Sequence, residues 1–355
     1  MTRTINELKM MQSLPLEVKV AKTKLRIREW VETYGVNGVY VSFSGGKDST
    51  VLLHIVREMY PEVEAVFVNT GLEYPEIQKF VKTFDNVTIL RPEMSFAEVI
   101  KRYGYPIISK EVSLTICYAN KGSSWANNYL NGLDKLGEPH EFKKSMYAKY
   151  KPLLYVDFLI SNECCAVMKK APLKKHAKQT GEVAITGQTA EESKLRTQSW
   201  IKHGCNGFDM KSPTSNPMSF WTEQDILHYI KEYMPPKSIC SVYGDIVLKP
   251  CDKDISKDQI NIIDCLGQYE ETDKFVTTGC DRTGCIFCAF GCHLEKEPSR
   301  FQRLKRTHPK QYQYCIGGGE FNEDGIWQPS KDGLGMGYVF DRINEIYGEG
   351  FIKYK

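Results

Sequence analysis

Hydrophobic positions in the first third of the chain follow two alternating periods. Val18, Ala21 and Leu25 recur three and four residues apart and predict an amphipathic helix reaching about Tyr34. The short apolar runs Gly38–Phe43, Glu64–Asn69 and Val87–Leu90 read as strands, and Ser49–Met59 and Pro75–Phe84 between them read as helices. Strands that alternate with helices of this length build βαβ units, so the pattern predicts an α/β fold around a parallel sheet.

Beyond Tyr105 the pattern changes. As far as about Lys178 the chain is polar, lysine-rich and aromatic, without a clear strand, and it reads as a mostly helical insertion that loosens near Asn120–Glu138. A last core strand is expected at Glu182–Thr186, followed by Gly187. Trp221–Tyr233 is helical, with Thr222 as N-cap ahead of Asp225, and Pro235-Pro236 ends it. The remainder is rich in Cys, Gly and Lys. The expected organisation is a helical segment at 1–36, an α/β domain at 37–235 with the insertion at about 105–178, and a Cys-rich C-terminal module at 236–355.

Composition narrows the class. A chain of 355 residues, 41% hydrophobic and 26% charged, can bury one large core or two modest ones. No run approaches the ~20 apolar residues of a membrane span, and the first residues lack a signal-peptide core, so a cytoplasmic protein with no membrane partner is expected. The 12 cysteines then read as metal ligands or redox thiols rather than a disulfide framework. A net charge of +3 is too balanced to point to nucleic acid by itself.

Chemistry concentrates where the first strand meets its helix, in Ser44-Gly45-Gly46-Lys47-Asp48-Ser49. Glycines let a backbone approach an anion closely, and the N–H groups opening the next helix point at it. Lys47 adds a charge for phosphate oxygens, and Asp48 suits a metal ion or the orientation of a nucleophile. The order differs from the G-x-x-x-x-G-K-[ST] mononucleotide loop. Ligands in such sheets sit off the carboxyl ends of the strands, so Asn69, Thr70 and Gly71 are expected to border the same pocket.

A second constellation is made of cysteines. Cys285 and Cys288 form a C-x-x-C pair flanked by Cys280 and Cys292, and an adjacent pair, Cys164-Cys165, lies far upstream. Three states fit this pattern: an iron–sulfur cluster, structural zinc, or reduced and unliganded thiols. Cys117, Cys205, Cys240, Cys251 and Cys265 are isolated and read as core thiols.

The string Ser44–Ser49 resembles the PP-loop of ATP pyrophosphatases. Together with Asn69-Thr70-Gly71-x-x-Tyr74-Pro75, Gly187…Glu191-Glu192-Ser193…Arg196 and Pro217…Trp221-Thr222-x-x-Asp225, it resembles the phosphoadenosine phosphosulfate (PAPS) reductase family over about Gly38 to Tyr233. The resemblance implies a Rossmann-like sheet carrying a PP-loop. It places ATP and Mg²⁺ on Ser44, Gly45, Gly46, Lys47, Asp48, Ser49, Asn69, Thr70, Gly71 and Gly187, with Lys47, Asp48, Glu192 and Arg196 as catalytic groups. Arg196 four residues after Glu192 also fits an ordinary helix ion pair. Glu163-Cys164-Cys165…Lys169-Lys170-Ala171-Pro172-Leu173 is similar to the cluster segment of adenylylsulfate reductases. It implies a [4Fe–4S] cluster on Cys164, Cys165, Cys285 and Cys288, with Zn²⁺ as the alternative metal and Cys280 and Cys292 as rival ligands.

Two departures separate the chain from those reductases. Their loop is usually eroded, whereas Ser-Gly-Gly-Lys-Asp-Ser is intact here. They also use a C-terminal Glu-Cys-Gly-x-His segment, while the last cysteine here, Cys315, sits in an unrelated context. The expected function is therefore ATP cleavage to AMP and pyrophosphate to activate an acceptor in sulfur transfer, with a sulfur donor or redox protein as partner. The alternatives are a sulfonucleotide reductase that releases sulfite, and a nucleic-acid-binding modification component acting on tRNA or DNA. The last rests on Arg300, Arg303, Lys305, Arg306, His308 and Lys310 and on the lysines between Lys143 and Lys178.

Overall fold

A computed structural model of the chain describes residues 3–249 and 273–355. Cys251 and Cys265 lie outside the described residues. The rest separates into two compact units, each discontinuous in sequence: residues 3–68, 74–90 and the described part of 176–283, and residues 69–73, 91–175 and 284–355.

The first unit is built on a six-stranded sheet. Strands β1 (Val39–Ser42), β2 (Glu64–Val68) and β3 (Val87–Leu90) stand in the order β3-β2-β1, continued by Val183–Thr186, Thr214–Ser215 and Asn206–Gly207. Every pairing is parallel except the last, an antiparallel edge that the apolar pattern did not predict because its strands are two residues long. Register aligns Tyr40 with both Glu64 and Ala184, so the strand starts share one end of the sheet and the loops after Ser42 and Thr186 share the other.

Helices α1 (Ile5–Gln12), α2 (Leu16–Tyr34), α3 (Lys47–Met59) and α4 (Pro75–Val81) belong to the same unit. In α3, Val51, Leu52, Ile55 and Val56 are fully buried and pack into the same core as Val41, Phe43, Phe67 and Trp221. Each such side chain contributes roughly 1.5–3 kcal/mol of transfer free energy. The buried stripe of α2 differs from the expected one. Val18 and Leu25 are exposed, and Lys19, Thr23, Ile27 and Trp30 face inward. The polar members are satisfied inside: Lys19 Nζ is 2.6 Å from Asp225 Oδ2, and the Thr23 hydroxyl accepts from Trp221 Nε1 at 2.9 Å. Asp225 also closes the capping box of the helix Glu223–Tyr233 with Thr222, as the sequence predicted.

The second unit joins the insertion to the C-terminal part of the chain. Ile107–Ile108 pairs in parallel with Ala289–Phe290, Tyr105 OH donates to Leu334 O at 2.8 Å, and Trp327 N–H donates to Asp157 O at 2.6 Å. Its core combines Tyr105, Phe158 and Ile160 with Phe301, Cys315, Met336 and Phe340. The compact units thus follow other boundaries than the linear division at 235/236: the insertion and residues 284–355 share backbone pairing and buried side chains. A short strand also lies inside the insertion, where none was expected; two buried isoleucines give too brief a pattern to read. No helix among the described residues is long and apolar enough to cross a membrane.

Candidate functional site

The loop Ser44–Ser49 carries the first set of candidate residues. Gly45 has φ +70°, a conformation that side chains resist, and a Cβ there would lie 2.9 Å from Ile77 Cγ2 and Val81 Cγ2. Gly46 is the N-cap of α3 and offers no side-chain cap. The first helical N–H, on Lys47, donates to the Tyr243 hydroxyl at 3.0 Å, which in turn lies 2.7 Å from Thr283 Oγ1. Gly187, directly after the strand Val183–Thr186, packs against the same turn; a Cβ there would meet Asp48 O at 3.0 Å.

Ser44 and Ser49 brace the loop. The Ser49 hydroxyl donates to Gly46 O at 3.0 Å and accepts from Ser44 N–H at 3.2 Å, so its proton is engaged within the turn rather than directed outward. Lys47 is buried, 3% exposed, with Nζ 3.2 Å from Glu223 Oε1 and 3.6 Å from Asp48 Oδ1. The ammonium and the glycine turn are the groups that suit an anion, and here the ammonium is held by two carboxylates.

Glu192 and Arg196 lie close by. Arg196 pairs with Glu192, though not within one helix, since Glu192 ends a short turn ahead of Ser193, the extended N-cap of the helix Lys194–His203; Arg282 donates to the other oxygen of Glu192. Burial lowers the Arg196 pKa, the neighbouring Arg282 adds to that, and Asp48 opposes it. Two guanidinium groups therefore converge on Glu192, and Arg196 also lies in the field of the loop carboxylate Asp48.

The cysteines gather in the second unit. Cys164 and Cys165 share a thiol–thiol hydrogen bond and lie within the fields of Cys285 and Cys288. The hydrogen bond from Cys164 and the charges of Lys110, Lys169 and Lys170 hold the Cys165 thiol below its ordinary value, while the hydrogen bond and burial push Cys164 up. Burial pushes Cys285 up to about 11. Burial pulls Lys169 down, but Cys285, Glu73 and Cys165 more than offset it and hold its ammonium charged. On the far side of the C-x-x-C turn, Arg300 Nη1 donates to Cys288 O at 2.9 Å and Nε to Glu295 at 2.7 Å. Arg300, expected in a basic nucleic-acid run, is thus committed to this turn.

The remaining thiols have different surroundings. Cys280 belongs to the first unit, where its field reaches Cys240, which the sequence had left isolated. Cys292 is buried beside Cys288 and Arg300, and burial pushes it up to about 12. Cys315 is fully buried against Met336. Asn69, Thr70 and Gly71 belong to the cysteine-bearing unit: Leu72 O accepts from Ile286 N–H at 2.8 Å, and the buried Glu73 accepts from the Thr70 hydroxyl at 2.7 Å.

Sequence reasoning missed Tyr243, Thr283, Arg282 and Glu223 around the loop, and Glu73 and Lys110 around the cysteines. No local pattern marks them, because each reaches its site from a distant segment. For Glu73 one signal existed, an acidic residue inside the Asn69–Pro75 motif.

Comparison with known proteins places these features in context. The model of the phosphoadenosine phosphosulfate reductase domain family matches residues 38–122 and 126–289, well over half of the chain. An adenosine 5'-phosphosulfate reductase of Staphylococcus haemolyticus is 25% identical over 218 residues, covering 61% of this chain and 70% of that protein. Adenosine 5'-phosphosulfate reductase 2 of Bacillus subtilis is 23% identical over 221 residues, 60% of this chain and 71% of that protein. An uncharacterized protein of Methanocaldococcus jannaschii is 34% identical over 80 residues, but this spans only 21% of the chain and 18% of that protein. Among solved structures, the phosphate complex of a PAPS reductase from Candida auris aligns with 68% of this chain and 91% of its own, at 14% identity and TM-score 0.36.

Proposed function

Because the chain belongs to the phosphoadenosine phosphosulfate reductase family, we propose that it is a PP-loop enzyme that cleaves ATP to AMP and pyrophosphate and uses the adenylate to prepare an acceptor for sulfur transfer. The observation that carries this reading is the buried Lys47 ammonium beside Asp48 on the Gly45-Gly46 turn. A lysine neutralises phosphate charge, and a neighbouring carboxylate suits the Mg²⁺ that accompanies a triphosphate. An acceptor oxygen attacks the α-phosphorus, its bond to the bridging β-oxygen breaks, and pyrophosphate leaves. A sulfur nucleophile then takes the place of the adenylate, and AMP departs with the acceptor oxygen. The chain's part is positioning and charge neutralisation. Lys47 and Arg196 would bear on phosphate oxygens, and Arg282 holds Glu192 in place.

The gathered thiols fit an iron–sulfur cluster. Thiolates are its ligands, and Lys110, Lys169, Lys170 and Arg300 offset their negative charge. Cys164, Cys165, Cys285 and Cys288 would hold a [4Fe–4S] cluster, which when bound supplies electrons or a route for sulfur. Adjacent cysteines are also an unusual pair for zinc, whose ligands normally stand two to four residues apart.

A second reading is favoured by the relatives' names and by the cysteine pair: a sulfonucleotide reductase that releases sulfite. One experiment separates the two. Anaerobically purified protein, reconstituted with iron and sulfide, is given either ATP with candidate tRNA and DNA acceptors or adenylylsulfate with a dithiol. AMP and pyrophosphate from ATP support the first reading. Sulfite without pyrophosphate replaces it with the second.

A further inference from the structure

At the end of the sheet remote from the Ser44–Ser49 loop, three metal-ligating side chains converge. Glu64 opens β2, Glu182 precedes the strand Val183–Thr186, and His176 lies on the helix Ala171–Thr180. His176 Nε2 is 2.9 Å from Glu182 Oε2 and 3.8 Å from Glu64 Oε2, and the three donor atoms lie within 4.8 Å of one another. The histidine is buried, and the carboxylates are only 27% and 14% exposed.

Hydrogen bonds reach both carboxylates, the Thr88 hydroxyl donating to Glu64 Oε1 and His176 to Glu182, but they leave two negative charges around one imidazole. An imidazole nitrogen carries one proton and serves one acceptor. Glu182 takes that position, and at 3.8 Å Glu64 is beyond hydrogen-bond reach of the same nitrogen. Among the described residues, no lysine or arginine pairs with either carboxylate. The buried Tyr40 ring packs edge-on against His176 at 5.3 Å and holds the imidazole in this position.

We propose that Glu64, His176 and Glu182 form a divalent-cation site that clamps the starts of two strands to the preceding helix. Ligands about 2.0–2.2 Å from a metal stand roughly 3–3.5 Å apart, and the two observed separations bracket that range. One imidazole and two carboxylates suit a Mn²⁺- or Zn²⁺-like ion. The role is structural, because the site lies at the strand starts and the candidate chemistry lies after the strand ends.

Mn²⁺ is the probe of choice, since it prefers oxygen and nitrogen donors and leaves thiolates to softer metals. Nucleotide-free protein is titrated with Mn²⁺ and followed by electron paramagnetic resonance, and its melting temperature is measured with and without the ion. The wild-type chain should bind one Mn²⁺ saturably and melt higher with it. Glu64→Gln and His176→Gln should each lose affinity by at least the roughly 10–100-fold that even outer-shell substitutions cost. Asp48→Asn and Cys288→Ser should bind Mn²⁺ like the wild type. If His176→Gln does not fold, the isosteric Glu64→Gln decides alone. Absence of saturable binding, binding undiminished in Glu64→Gln, or binding lost in Asp48→Asn would overturn the proposal.

Discussion

Replacing Lys47 by Met removes the ammonium from the glycine turn while keeping most of the buried stem. Lys47 is 3% exposed, so truncation to Ala would open a cavity and confuse binding with stability, whereas Met fills nearly the same volume. The charges left behind are easily accommodated. Glu223 is 51% exposed and Asp48 27%, so water can solvate both once their partner is gone. An ion pair with so exposed a partner contributes only about 0–1 kcal/mol, which bounds the expected loss of stability. A charge-assisted contact with a phosphate oxygen contributes roughly 1.5–3 kcal/mol. ATP affinity should therefore fall about 10- to 150-fold. Isothermal titration calorimetry gives the affinity and a urea titration gives the stability. Unchanged ATP affinity in a folded Lys47→Met protein would refute the assignment of this loop as a phosphate cradle.

Three further outcomes follow from the same geometry. Gly45→Ala forces a side chain into φ +70° and against Ile77 and Val81, so it should destabilise the protein by about 2–4 kcal/mol; an unchanged urea midpoint would show that the turn is not constrained. Cys288→Ser should lower both the iron content of reconstituted protein and its melting temperature, whereas Cys280→Ser, in the other unit, should retain iron, and the reverse pattern would reassign the ligands. Lys19→Met strands Asp225 in a largely buried position and should cost about 3 kcal/mol in urea unfolding. A loss below about 1 kcal/mol would mean that the Thr222 cap alone satisfies Asp225.

Local signals carried far along this chain. The alternation of short apolar runs with helical periods determined the three first strands, their helices and the parallel sheet, because side-chain period is a property of a few consecutive residues. The Gly45-Gly46 turn was legible for the same reason, since a left-handed residue before a helix needs glycine. The Thr222–Asp225 capping box spans four residues and was equally readable. The buried face of α2 was not. Lys19 and Thr23 look polar in sequence and become interior only because Asp225 and Trp221, two hundred residues on, satisfy them. Tertiary structure also decided that the insertion and the C-terminal residues form one unit. It gathered Cys164, Cys165, Cys285 and Cys288 with Lys169 and Glu73, left Cys280 in the other unit, and brought His176 between Glu64 and Glu182. Sequence motifs named the cysteines, but the charges that surround them come from separate segments whose approach is set by packing. Proximity across so many intervening residues leaves no periodic trace, because each partner's local pattern is satisfied equally well with or without the other.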